Sequence, residues 1–138
     1  MFVPIPLEMR LPESKSGVPV ANALLIAFNV LLFLFGCHWS VGPGTGPLSI
    51  LTYGFCHFGF WHLLLNMLVL FFFGPPLESR WGGRELFRFY VIAGLGGVAL
   101  SFILAPGDAI IGASAACYGL MLAFAMNWPK APIYIYAI

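Results

Sequence analysis

The chain alternates between long apolar runs and shorter stretches that are polar or rich in glycine and proline. The apolar runs cover residues of about 18–36, 57–76, 86–105 and 110–128. Each run has at most one charged residue and is close to the length of about 20 residues that a helix needs to cross a bilayer core of about 30 Å. The Pro75-Pro76 pair is expected to close the second run. The pattern therefore predicts four complete transmembrane helices.

The two ends of the chain do not fit this pattern. Residues 1–17 combine prolines with acidic and basic side chains, which predicts a polar cytoplasmic leader and not a cleaved signal peptide. The apolar residues after Pro132 are too few to cross a membrane. We expect them to belong to the start of a fifth span, from about residue 131, that a longer parent protein completes; the alternative is a genuine short tail.

Lysine and arginine fall on alternate connections between the runs. They precede the first run, separate the second from the third and follow the fourth: Arg10, Lys15, Arg80, Arg84, Arg88 and Lys130. The other two connections contain neither residue. Since positive charges near span ends are retained in the cytoplasm, the N-terminus is predicted to be cytoplasmic. The second and fourth runs then both begin at the outer face.

Composition supports a membrane environment. The chain is 61% hydrophobic and 8% charged, with a mean hydropathy of +0.96, and a single soluble core of this size cannot bury so much apolar surface. The net charge of +1 leaves no basic stripe to neutralise phosphates, which excludes nucleic acid as a partner. We therefore expect a multi-pass protein of the cell membrane, with a bacterial inner membrane as the favoured case.

The three cysteines are too few for a disulfide framework or a thiolate metal site. Cys37 and Cys56 fall at the outer ends of the first two runs, so a disulfide between them is geometrically possible in an oxidising exterior. The alternative is two small apolar residues at a membrane interface. We expect no metal and no cofactor.

Four polar side chains stand in or beside the apolar runs, where an unpaired polar group costs several kcal/mol. They are His57, His62, Asn66 and Ser114. His62 and Asn66 are four residues apart and project from one helix face. His57 is offset by five residues and is expected on the incoming loop or first turn, outside that cluster. Hydrogen bonds between helices are the structural alternative for His62 and Asn66. A metal site is disfavoured, because no carboxylate or thiolate lies nearby.

Ser114 lies at the head of the fourth run, within the sequence GASAACYG. The predicted topology puts its hydroxyl near the depth and leaflet of His62 and Asn66. The same segment carries small residues at intervals of four, Ala115, Gly119 and Ala123, on which another helix can lie closely. Both roles are compatible, because Ser114 is offset from that stripe.

The segment HFGFWHLLLN, the later LESRWG and the Gly112-Ala113-Ser114 triplet, in this order, resemble the rhomboid family of intramembrane serine proteases. The resemblance implies a rhomboid-like, all-α, polytopic helical bundle over residues 18–138. It also implies that Ser114 is the nucleophile.

The resemblance assigns roles to four further side chains. His62 and Asn66 match residues that donate hydrogen bonds to the oxyanion, and His57 matches a supporting residue beside them. Tyr118 matches an aromatic residue on which the catalytic histidine stacks. The intact parent is thus expected to hydrolyse peptide bonds of transmembrane substrates within the lipid bilayer.

Two features depart from the family pattern. Ala115 stands where the family has glycine, and its methyl group could loosen helix packing. No histidine follows His62, so the base is expected beyond the given sequence. Because loss of that histidine costs a serine hydrolase on the order of a millionfold in rate, this chain alone is expected to be nearly inactive.

Two other functions compete with proteolysis. A catalytically inactive rhomboid-like protein would bind membrane segments for trafficking or quality control, but such proteins typically lose the polar residues present here. A channel or transporter is disfavoured, because the runs lack the charged residues that mark ion paths.

Overall fold

The computed structural model describes residues 18–131, and within this range the regular structure is helical. The helices are α1 (Val20–Leu34), α2 (Pro47–Thr52), α3 (Phe60–Trp81), α4 (Gly83–Leu104) and α5 (Ser114–Asn127), with one 3₁₀ turn at Tyr53–Phe55. Over the same residues, strand-like pairing is limited to one bridge between Val41 and Ile110. The predicted all-α class is confirmed. The predicted leader and the residues of the predicted fifth span from 132 onward lie outside the described part of the chain.

Two of the helices are long enough and apolar enough to cross a membrane, namely α3 and α4. Helices α1 and α5 are apolar but shorter, with 15 and 14 residues. Large apolar side chains cover the outside of the bundle, among them Leu24, Phe72 and Ile103. Since water does not tolerate so large an apolar exterior, the solvent of this protein is lipid.

Helix α3 continues through Pro75 and Pro76 to Trp81, so the expected stop at the prolines is wrong. Proline removes a helical hydrogen bond, and membrane helices tolerate it where a neighbour replaces bonding. Here α1 comes so close that a methyl group on Gly74 would overlap Asn22. The Asn22 amide also donates a 3.0 Å hydrogen bond to the carbonyl of Leu70. This bond ties α1 to α3 beside the prolines, but it does not replace the bonds to Phe71 and Phe72 that the prolines remove.

The last helix begins at Ser114, later than the expected start near residue 110. Ile110 is held by two hydrogen bonds with Val41, of 2.8 and 2.7 Å between N and O atoms. Gly112 has a φ of +105°, which side-chain-bearing residues rarely adopt. The backbone is therefore extended and then sharply turned before it becomes helical.

The connection between α1 and α3 contains short helical structure that the sequence pattern did not predict. Pro47 starts α2 at a position where proline costs no hydrogen bond. The 3₁₀ turn that follows carries the buried Tyr53, whose hydroxyl donates to the carbonyl of Gly94 on α4. The carbonyl of Tyr53 also accepts a 2.9 Å bond from the Gly112 N–H. Tyr53 thus ties this connection to the start of α5.

Glu78 fixes the opposite end of the bundle. Its carboxylate is buried near the end of α3 and accepts hydrogen bonds of 2.9 and 2.8 Å from the N–H groups of Ala21 and Asn22. These are first-turn N–H groups of α1, which lack acceptors within their own helix, and the negative charge suits the positive end of the helix dipole. Arg80 lies over the Trp128 ring, 5.4 Å from its centroid, so α5 ends here too.

Helices α4 and α5 approach closely because small residues face each other. A methyl group on Gly97 would overlap the Cβ of Ala115, and one on Gly119 would lie 2.8 Å from the Cβ of Ala93. Two members of the predicted small-residue stripe, Ala115 and Gly119, therefore pack on α4 as expected. The Ala115 methyl, expected to loosen the packing, fits into the space that Gly97 leaves.

The pair Gly97 and Ala115 provides a test of this packing. Gly97→Ala should lower the free energy of unfolding by about 1–3 kcal/mol through overpacking, and adding Ala115→Gly should restore most of it. Gly96→Ala is the control, since nothing lies within 4 Å of the added methyl. Unfolding in detergent micelles measures all four proteins. Equal stability of the Gly97 and Gly96 variants would show that the two helices are not in close contact.

Candidate active site

The polar residues singled out from the sequence gather at the end of the bundle opposite Glu78. Helix α3 begins here at Phe60 and α5 begins here at Ser114. The bridge between Val41 and Ile110 and the anchor at Tyr53 join the loops of this end. The first turns of α3 and α5 therefore lie side by side.

A cavity of about 810 Å³ opens between α3 and α5. Its polar lining comes from His62, Asn66, Ser114 and Tyr118. Apolar side chains such as Phe72 form the rest of the wall. The two helices thus bring a hydroxyl, an amide and an imidazole to one opening, although 48 residues or more separate Ser114 from the other two along the chain.

His62 lies against the backbone that leads into α5. A methyl group on Gly112 would overlap the imidazole ring of His62, so the ring occupies the space left free by the glycine. The Gly112 N–H is held by the Tyr53 carbonyl. The position of His62 relative to Ser114 therefore depends on a close contact only two residues before the serine.

Asn66 is buried one turn further along α3. Its side-chain nitrogen has no hydrogen-bond partner among the described residues, while its backbone carbonyl accepts a 3.5 Å bond from the Cys117 thiol. A residue that joined helices through its side chain would use that amide nitrogen. The unused donor weighs against the structural alternative for Asn66.

His57 lies in the connection before α3, and its ring is fully buried. The ring meets that of His62 edge to face, with centroids 5.2 Å apart. Its expected position on the incoming loop is confirmed, and it does not line the cavity. The ring contact with His62 was not expected, because loop residues do not follow the angular spacing of a helix. Burial, with a smaller contribution from His62, lowers the pKa of His57 to about 4. His57 is neutral at pH 7.

Tyr118 follows Ser114 by one helical turn and borders the same cavity. Its side chain is 72% exposed, and its ring is therefore a free apolar face beside the serine. Exposed aromatic rings of this kind can stack with another planar group.

Sequence reasoning missed Cys117 and His38 as neighbours of this site. Cys117 is buried, lines the cavity and contacts Asn66; its spacing of three from Ser114 on a helix was the available signal. His38 is exposed at the same end of the bundle, yet its Nδ1 donates a 3.2 Å hydrogen bond to the carbonyl of His57. Nothing in the local sequence indicated that contact.

Comparison with known proteins identifies similar chains. The family model described as "Rhomboid domain" matches residues 45–138. "Rhomboid protein 1, mitochondrial" of Saccharomyces cerevisiae is 32% identical over 101 residues, which cover 67% of this chain and 28% of that protein. "RHOMBOID-like protein 4" of Arabidopsis thaliana is 38% identical over 81 residues, which cover 59% of this chain and 21% of that protein. No solved structure matches the chain significantly.

The alignments span less than a third of the length of these curated relatives. The yeast protein is named as mitochondrial, and another relative, "Rhomboid-like protein 11, chloroplastic" of Arabidopsis thaliana, is named as chloroplastic. These names give no support to the expected bacterial inner membrane.

The buried His57 predicts a loss of stability in acid. The pKa of a histidine in an unfolded chain is about 6.5, and in the folded protein that of His57 is about 4. Between these values the unfolded chain binds the extra proton, so acidification favours unfolding. The contribution of the neutral His57 ring to the stability of the fold is complete above about pH 6.5 and is lost as the pH falls towards 4.

Thermal unfolding between pH 7 and pH 4.5 measures this effect. The melting temperature of the wild type should fall more steeply with acidification than that of His57→Phe, which cannot take up the proton. His38→Gln removes an exposed histidine and should keep the wild-type slope. A His57→Phe variant as acid-sensitive as the wild type would contradict the prediction.

Proposed function

This chain belongs to the rhomboid family, and we propose on that basis that the full-length protein is an intramembrane serine protease with Ser114 as its nucleophile. The carrying observation is that Ser114, His62 and Asn66 line one cavity between α3 and α5. The unused amide donor of Asn66 supports the proposal. An inactive membrane-segment binder would have no need to bring these three groups together.

In the proposed reaction the Ser114 hydroxyl attacks the carbonyl carbon of a scissile peptide bond. A base accepts the hydroxyl proton, and the negative charge moves to the carbonyl oxygen. Asn66 Nδ2 and a ring N–H of His62 donate hydrogen bonds to that oxyanion, together with the backbone N–H of Ser114. Each such donor is worth about 3–4 kcal/mol in comparable hydrolases. The leaving amine takes the proton, and water then hydrolyses the acyl-enzyme.

The base comes, in this proposal, from a histidine outside the given sequence. His62 cannot fill the role while it donates to the oxyanion, and His57 is buried behind it without access to the cavity's opening. The exposed ring of Tyr118 beside Ser114 offers a surface on which an incoming imidazole can stack.

Substrates are proposed to be transmembrane segments that enter from lipid between α3 and α5. The apolar wall there suits such a segment. Arginines at the end of α3 and in the first turns of α4, together with Lys130 after α5, lie at the opposite end of the bundle. The proposed topology therefore has a cytoplasmic N-terminus and a site near the outer face.

A serine-directed fluorophosphonate tests the nucleophile in the full-length protein. Ser114→Ala should abolish labelling and cleavage of a transmembrane substrate, while Ser101→Ala, on α4 away from the cavity, should preserve both. Asn66→Ala should lower kcat by about 10²–10³, the loss typical of one oxyanion donor. Labelling that persists without Ser114 would remove it from this role.

Gly112 tests whether the placement of His62 matters. Gly112→Ala should drive the added methyl into the His62 ring and strain a backbone at φ +105°. We expect kcat to fall by about 10²-fold, as for other misplacements near 1 Å. The matched control is Gly107→Ala in the same loop, where nothing lies within 4 Å of the methyl. Equal activity of the two variants would contradict this role of the glycine.

A further inference from the structure

A disulfide joins the two loops beside the candidate site. It connects Cys37, just after α1, to Cys56, just before α3, and their Cα atoms are 5.2 Å apart. Cys56 is fully buried, and its N–H bonds to the Tyr53 carbonyl at 3.2 Å. The bridge therefore fixes the backbone from which α3 starts.

Each bridged cysteine is followed by a histidine, and these histidines extend the link. His38 Nδ1 donates to the His57 carbonyl, so the loop after α1 holds the residue after Cys56 by a second, non-covalent tie. The His57 ring then contacts His62. One peptide bond and one ring contact thus separate the disulfide from a proposed oxyanion donor.

The position of the His57 ring depends strongly on this tether. Neither ring nitrogen makes a hydrogen bond of good geometry among the described residues, although the Phe55 backbone lies near enough to favour the protonated ring. Packing and the attachment to the backbone are then what orient the ring. A backbone free to move at Cys56 would let His57 shift, and His62 with it.

The charges at the other end of the bundle support a disulfide at this one. Arg80, Arg84 and Arg88 mark the end that is retained in the cytoplasm, where thiols stay reduced. The cysteine bridge lies at the far end, next to α2 and the first turn of α3. Charge distribution and cysteine position therefore agree that the candidate site faces an oxidising compartment.

We propose that the Cys37–Cys56 disulfide is a positioning element for His57 and His62, so that the enzyme works at full rate only where its site faces an oxidising compartment. This inference rests on the proposed protease function. Reduction by a dithiol transfers two electrons to the bridge; Cys37 and Cys56 each become a thiol, and the reductant becomes a disulfide.

The test uses the full-length protein in lipid nanodiscs, with and without dithiothreitol, beside the Cys37→Ser/Cys56→Ser double variant. After denaturation, maleimide should label two more cysteines in the reduced wild type than in the untreated wild type. Dithiothreitol should add no label to the double variant. Amide hydrogen exchange in residues 56–66 should rise on reduction. The kcat for a transmembrane substrate should fall about tenfold with KM within twofold, since the oxyanion forms only in the transition state.

The double variant should have the lowered kcat from the start, and dithiothreitol should not change it. Reoxidation should restore the kcat of the reduced wild type but leave that of the double variant unchanged. Cysteines that are already free, or exchange in 56–66 that reduction leaves unchanged, would overturn the inference whatever the activity. Raised hydrogen exchange with an unchanged kcat would also overturn the inference. A lower melting temperature on reduction, with exchange and kcat unchanged, would overturn it as well, because the disulfide would then only stabilise the fold. Failure of the proposed protease function would give a different result, because the oxidised protein would then cleave no substrate through Ser114. Hydrogen exchange would still show whether the disulfide positions residues 56–66.

Discussion

Lipid offers no hydrogen bonds, and under this constraint the buried asparagines of the bundle differ in how they use their amide nitrogens. Asn22 and Asn29 donate theirs to backbone carbonyls, although their side-chain oxygens have no partner among the described residues, whereas Asn66 leaves its nitrogen unused. At one end, Glu78 accepts two bonds from the start of α1, and Asn22 donates to a carbonyl of α3. At the other end, the side-chain nitrogen of Asn66 and both ring nitrogens of His57 are buried without a hydrogen-bond partner in residues 18–131. An unused buried donor costs about 1–3 kcal/mol. Where folding does not use such a group, binding or catalysis is the natural reason to keep it.

The site also depends on how closely the helices approach. Glycine at position 97 admits the methyl of Ala115, and Ala93 packs on Gly119. Without a hydrophobic force between helices in lipid, small residues provide the contact that holds α5 on α4. The glycine at 112 serves the same purpose for a ring, since it lets His62 reach the backbone before Ser114.

Periodicity and charge were enough to predict the helical class, the shared face of His62 and Asn66, and the small-residue stripe of α5, because each depends on local spacing. Contacts between distant segments were not predictable in this way. Helix α3 passes Pro75 and Pro76 where Gly74 packs closely on Asn22 of α1, and His57 meets His62 through a loop with no regular period. The resemblance to rhomboids indicated which residues form the site. The packing of His62 on Gly112 became visible only in the folded structure, because the two residues are far apart in the sequence.

The start of α5 adds a reason for the nucleophile to lie where it does. The first N–H groups of a helix have no acceptor within it, and most helices satisfy one with a capping side chain, which contributes about 1 kcal/mol. Ala113 occupies the capping position of α5 and makes no such bond. The uncapped N–H groups and the positive end of the helix dipole therefore surround Ser114. The other described helices also lack a side-chain cap, so this feature alone does not mark a site. What distinguishes α5 is that its first N–H belongs to Ser114, the group that the proposed mechanism directs at the oxyanion, and the helix dipole favours the same developing negative charge.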